Sequence, residues 1–129
     1  MKKIVLDTNV LISALLNPSG RPARILEGIL SGSWKLQLDN RILLEYWDVL
    51  HRPKFGFKEE SILPLMDFIR MESDFIAPVH VEWDFPDPFD RMFYEILEAS
   101  SADSLITGNL KHFPKDARIM LPSDFLAKG

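Results

Sequence analysis

Short apolar runs of strand length alternate along the chain with segments whose apolar residues recur every three or four positions, the pattern of an α/β domain with a mostly parallel sheet. Lys3 to Leu6 reads as the first strand, and Thr8 to Leu16 as the turn and short helix that leave it. Asn17-Pro18-Ser19-Gly20 breaks that helix; a second runs from about Pro22 to Leu30, and Gly32 closes it before a strand at Trp34 to Leu38. Asp39 and Asn40 cap a third helix that ends near Leu50 because Pro53 follows, and Lys58 to Asp74 forms a fourth. The third strand is expected at Ala77 to Val81, and Asp87-Pro88 opens a fifth helix that continues to about Ala99. Leu105 to Thr107 is the fourth strand, with a turn at Asn109 to His112. Arg118 to Leu121 is the fifth, and Pro122 to Leu126 a terminal turn. The pattern is that of one domain over residues 1–129 with five short strands.

Three acids stand out by position in this scheme. Asp7 follows strand one, Glu45 rides the helix after strand two, and Asp90 opens the helix after strand three. Ligands of open α/β sheets bind outside the carboxyl ends of the strands, so these acids are expected to converge on one edge, with Asn109 beside them. Asp103 and Asp116 precede strands and belong to the opposite rim in structural roles. At 100° per residue Glu45 and Asp90 fall on the borders of their apolar stripes: Ile42, Leu43, Tyr46, Trp47, Val49 and Leu50 for the third helix, and Phe89, Met92, Phe93, Ile96 and Leu97 for the fifth. Asp48 lies well outside its stripe, and Glu95 and Glu98 are expected to point away.

Helix capping explains Asp87, and the helix dipole alone favours an acid at Asp90. Asp7 is less easily explained, because a carboxylate ending a buried strand is costly to desolvate without a partner. Three carboxylates about 4 Å apart would repel by roughly 4 kcal/mol per pair at an effective dielectric of 20. A cation is needed to complete such a site. Oxygen ligands without histidine or cysteine favour Mg²⁺ or Mn²⁺ over zinc, and phosphodiester hydrolysis is the chemistry that fits.

The net charge of -4 argues against a generic polyanion binder, so an acidic nuclease would need metal to reverse that sign locally. The chain has no cysteine, which removes disulfides, thiolate sites and a cysteine nucleophile and suits the cytoplasm. Asp7 and Asn9 interrupt the apolar start too early for a signal peptide, and no stretch approaches a membrane span. A receiver or haloacid-dehalogenase domain would also place an aspartate after a strand. However, Asn9 stands where the dehalogenase type has its second aspartate, and Thr107 lacks a well-placed downstream lysine.

Val5-Leu6-Asp7-Thr8-Asn9-Val10, Leu44-Glu45-Tyr46 before Arg52-Pro53-Lys54-Phe55, and Asp87-Pro88-Phe89-Asp90 before Ala102-Asp103-Ser104-Leu105-Ile106-Thr107-Gly108-Asn109 together resemble a PIN domain. The likeness runs through Pro122-Ser123-Asp124-Phe125-Leu126 and is nearest to VapC-like toxin components of toxin–antitoxin pairs. It implies a three-layer α/β/α fold, Mg²⁺- or Mn²⁺-dependent endoribonuclease activity, frequent homodimers and neutralisation by a protein antitoxin. It also implies that Asp7, Glu45 and Asp90 match the first three family acids, and that Thr8 is the hydroxyl residue after the first. The fourth family acid is Asn109 here, which offers a carbonyl oxygen without the charge, and Phe89 and Arg91 thin the acid-rich turn. A catalytically weak module that binds RNA or protein is the alternative that this departure permits.

Arg21, Arg24, Arg52, Lys54, Lys58, Lys111 and His112 are candidate phosphate contacts. Arg52, Lys54 and Lys58 interleave with Phe55 and Phe57 in a way that suits base stacking, unless that loop packs its aromatics inward. In the fourth helix Ile62, Leu63, Leu65, Met66 and Ile69 form the core stripe. Phe68 and Met71 fall opposite it, a face expected to meet a partner unless the helix is covered on both sides within the monomer.

Overall fold

A strand covered on both faces needs apolar residues at consecutive positions, and β1 (Lys2–Leu6) has them: Ile4, Val5 and Leu6 are all fully buried. The computed structural model describes residues 1–128. β1 is the middle strand of a five-stranded sheet in the order β3-β2-β1-β4-β5, every neighbouring pair parallel. β2 is Trp34–Leu38, β3 Asp74–Phe75, β4 Ser104–Ile106 and β5 Ile119–Met120. The helices are α1 (Thr8–Leu16), α2 (Arg21–Leu30), α3 (Asn40–Leu50), α4 (Glu59–Glu72), α5 (Arg91–Ser100) and α6 (Pro122–Ala127). Helix α5 packs across β1, β2 and β4 and against α3, whereas α2 joins α1 and α6 and meets the sheet at β2. The result is the expected three-layer α/β/α fold.

Side-chain oxygens cap the helices that matter most for the carboxyl edge. The Asp39 carboxylate accepts from the Ile42 N–H at 3.1 Å and starts α3. Asp87 accepts from the Phe89 N–H at 3.0 Å, as its capping role requires.

Four expectations are corrected. The third strand is Asp74–Phe75, not Ala77 to Val81. Pairing with β2 begins as soon as α4 ends, fixed by Gln37 Nε2 donating to Asp74 Oδ2 at 2.8 Å. It runs out after Ile76, whose N–H reaches the Leu38 carbonyl, because Pro78 has no N–H to continue it. Residues 77–86 instead form a strap held by α5: Arg91 donates to the carbonyls of Val81 and Trp83, and Glu95 accepts from the Val81 N–H. That strap overturns the second expectation. Glu95 does not point away but is 2% exposed, because the strap covers the flank of α5 that a helical wheel assigns to solvent. Third, Phe89 leaves the α5 core stripe and is 70% exposed, because Pro88–Asp90 is a 3₁₀ turn whose 120° step rotates it off the buried face. Fourth, the helix stripes shift: Leu63 of α4 and Trp47 of α3, expected in the core, are 43% and 41% exposed, whereas Phe68 packs on the core and Met71 alone of its face stays exposed. Phe55 and Phe57 likewise pack inward, stacked on each other at 5.7 Å.

Gly28 gives a first test of the packing. A glycine inside a helix is usually improved by alanine, by about 1 kcal/mol. Here a methyl group would overlap the Trp34 ring, itself packed edge-on to Phe125 at 4.9 Å. Gly28→Ala is therefore expected to lower stability by about 1–3 kcal/mol, the scale of an overpacked core, as read by urea denaturation.

Candidate active site at the carboxyl edge

The parallel register pairs Leu6 with Ile106, so the next residues, Asp7 and Thr107, leave adjacent strands side by side. Both are buried. Thr107 Oγ1 donates to Asp7 Oδ2 at 2.7 Å and accepts from the Asn109 N–H at 3.1 Å, which leaves its proton only one direction to point. Asp7 also caps α1, accepting from the Asn9 N–H at 3.4 Å. Behind it, Tyr46 of α3 donates to the Leu6 carbonyl at 2.6 Å and ties that helix to the end of β1.

Glu45 follows Tyr46 and stands half-buried over the same edge, its Oε2 accepting from Thr8 Oγ1 at 3.4 Å. Thr8 thus orients an acid in this structure. Asp90, at 8% exposure, closes the group from α5. Its Oδ2 lies 3.0 Å from His112 Nδ1, while His112 Nε2 lies 2.9 Å from Asn109 Nδ2. An amide NH₂ only donates, so Nε2 is the acceptor and Nδ1 carries the proton given to Asp90. Asn109, expected among the acids, reaches the site through His112.

Burial raises the pKa of all three acids. For Asp7 it outweighs the hydrogen bonds from Thr107 and Asn9, and for Glu45 the bond from Thr8 and the nearby Arg52. Burial together with the charges of Asp7 and Asp87 pushes Asp90 up to about 6, although His112 opposes the shift. The acids outside the site differ. Burial of Glu95 is overcome by Arg41 and the Val81 N–H, which hold it below the usual carboxylate range, and Arg118 holds Asp116 down at about 2. Asp39 has Arg41 at 2.7 Å, and Glu98 pairs with Arg118. Among the described residues, no lysine or arginine forms an ion pair with Asp7, Glu45 or Asp90.

A pH dependence follows. A carboxyl group whose pKa is higher in the folded chain makes the fold bind protons more tightly than the unfolded chain, so stability falls as pH rises between the two values. With Asp90 at about 6 when folded and about 3.9 when unfolded, the metal-free protein should lose stability from about pH 4 to 6. Asp90→Asn should flatten that slope, and thermal melts in EDTA at pH 4.5 and 7.5 measure it. A wild-type melting temperature that rises over that interval would contradict the assigned environment.

Asp103 and Asp116 lie away from this edge, as expected: Asp103 accepts from the Lys3 N–H at 2.8 Å, and Asp116 holds Arg118 and the Tyr94 hydroxyl. The sequence reading missed Thr107 as an orienting group and His112 as the partner of Asp90. A threonine ending the strand beside β1 was the available signal for the first.

All-oxygen donors, two buried and one half-buried and none in an ion pair with lysine or arginine among the described residues, suit a hard divalent ion in chemistry. Their placement is open rather than caged: among the described residues, no three histidine, aspartate or glutamate side chains are grouped to hold a metal. Asp90 is turned onto His112 and Glu45 onto Thr8. No curated protein matches the chain. A family model described as the PIN domain matches residues 3–111, the span that contains β1, all three acids, Thr107 and Asn109. With that match across a fold and a carboxyl edge of this form, the chain belongs to the PIN domain family.

Proposed function

We propose that this protein is a metal-dependent endoribonuclease and that Asp7, Glu45 and Asp90 hold its Mg²⁺ or Mn²⁺. The observation that carries the reading is the contrast among the buried acids. Of these four, Asp39 and Glu95 are paired with Arg41, whereas Asp7 and Asp90 have no lysine or arginine partner among the described residues. PIN domains are in general nucleases, and a nuclease has use for carboxylates left free for a cation. When bound, the ion supplies Lewis-acid polarisation of a phosphoryl oxygen and lowers the pKa of water. The chain's own residues prepare for it: Thr107 fixes one oxygen of Asp7, Thr8 orients Glu45, and the proton on His112 Nδ1 steadies Asp90.

The same reading makes the protein the toxin of a toxin–antitoxin pair acting in the cytoplasm as a homodimer. Exposed Leu44, Trp47 and Leu63 on α3 and α4 are apolar surface that an antitoxin or a second copy would cover. Among the described residues no helix is long and apolar enough to cross a membrane.

The test is incubation of the purified protein with labelled single-stranded RNA in Mg²⁺, Mn²⁺ or EDTA. Internal cleavage that depends on the ion is the expected result. RNA that is bound but left intact in excess Mn²⁺ would make the protein a binding module instead.

A further inference from the structure

Between the strap and the edge strand β5 lies a groove of about 530 Å³, walled by Trp83, Leu110, Phe113 and Ile119. Its floor is rigid: Trp83 packs edge-on to Phe85 at 4.8 Å, and Phe113, 4% exposed, stands edge-on to the same ring at 6.3 Å. Its rim carries Lys111 and Lys115, exposed and without an ion-pair partner among the described residues. The acid in its lining, Asp116, is already held by Arg118. The groove therefore offers an apolar wall in which half-buried Trp83 is the accessible aromatic, rimmed by two exposed lysines, in a chain whose net charge is -4. It also adjoins the site, because His112, which holds Asp90, sits between Lys111 and Phe113.

Building on the nuclease reading, we propose that this groove is a subsite for single-stranded RNA, with one unstacked base against Trp83 in the apolar slot and the flanking phosphates on Lys111 and Lys115. A neutral base suits the apolar slot and a polyanion the rim, and a single strand brings both together. A duplex keeps its bases stacked inside and has none to place there. A protein partner fits less well, because lysine is depleted where proteins meet.

The experiment uses the full-length Asp7→Asn protein, to prevent cleavage, and a fluorescent 12-nucleotide single-stranded RNA followed by anisotropy at several salt concentrations. Lys111→Ala with Lys115→Ala should raise Kd at least tenfold at low salt. It should also reduce the slope of log affinity against log salt by about 1.4, at roughly 0.7 per phosphate contact on a single strand. Lys3→Ala with Lys35→Ala, paired across β1 and β2 toward the amino ends of the strands and so away from the carboxyl edge, should change neither. RNA containing 5-iodouridine should cross-link on irradiation to a peptide that contains Trp83.

An unchanged Kd and slope, a cross-link elsewhere, or equal affinity for a duplex of the same sequence would each overturn the subsite. So would loss of self-association in sedimentation with no change in RNA affinity, which would make the groove an interface between copies. If wild-type protein still cuts RNA in any of these cases, the nuclease reading stands without the subsite. RNA that wild-type protein neither binds nor cuts removes both.

Discussion

Asp7→Asn is expected to lower metal-dependent RNA cleavage by on the order of 10³-fold, with a melting temperature in EDTA no lower than that of the wild type. The two halves have one cause. Asp7 is 5% exposed, and burial is the foremost reason that its pKa is raised, so its charge is carried at a cost to the fold. Asparagine removes that charge at nearly the same volume. Its oxygen can still accept from Thr107, while its NH₂ would face the Asn9 N–H, forfeiting a cap that is long at 3.4 Å. The loss of a weak cap against the relief of a buried charge leaves stability level or improved. Cleavage, by contrast, depends on the charge, because electrostatic groups fixed in a dry site carry a large share of transition-state stabilisation, commonly 10²–10³-fold for a single one. Initial rates in saturating Mn²⁺, paired with thermal melts in EDTA, decide the matter. A variant that cuts RNA as well as the wild type would remove Asp7 from the site. A variant that merely unfolds would show that Asp7 serves structure.

How far this edge was legible in the sequence depends on what each signal measures. Apolar runs report burial on both faces, which is why β1 and β2 are found where their hydrophobic residues lie and why Asp7 falls at the end of a strand. Parallel topology then places Glu45 and Asp90 on the same edge without any knowledge of contacts. Side-chain pairing across the strap is not encoded that way. Ala77 to Val81 reads as a strand by composition, yet the backbone of Val81 is held by Glu95 and Arg91, side chains on a helix that follows it. A helical wheel of α5 is likewise blind to a segment lying over its polar flank, so Glu95 looked solvated and is buried. His112 was legible as a cation near phosphate. Its role against Asp90 depends on a 3₁₀ turn at Leu110–His112 whose rotation no periodicity reveals.

Glu95→Ala is expected to cost about 1–3 kcal/mol, the scale of a buried donor left unpaired, because Arg41 on the other side of the pair is 43% exposed and keeps access to water. Glu95 is nearly inaccessible and accepts from Arg41 at 2.8 Å and from the Val81 N–H at 2.9 Å, with His80 Nδ1 at 3.2 Å. Glu95→Ala would leave the Val81 N–H unpaired and the strap held by Arg91 alone, and it would leave Arg41 with Asp39 as its single partner. The consequence reaches the site because the pair bridges the helices that hold the acids: Arg41 precedes Glu45 by one turn of α3, and Glu95 lies five residues beyond Asp90. Loosening it should widen the spread of Glu45–Asp90 separations, so Mn²⁺ affinity by calorimetry should fall even at a temperature where the variant is fully folded. Glu95→Gln sharpens the comparison. It keeps one acceptor for Arg41 or Val81 but loses the charge, and should fall between wild type and alanine in both stability and Mn²⁺ affinity. Equal Mn²⁺ affinity in all three folded proteins would confine the pair to holding the strap, with no part in spacing the acids.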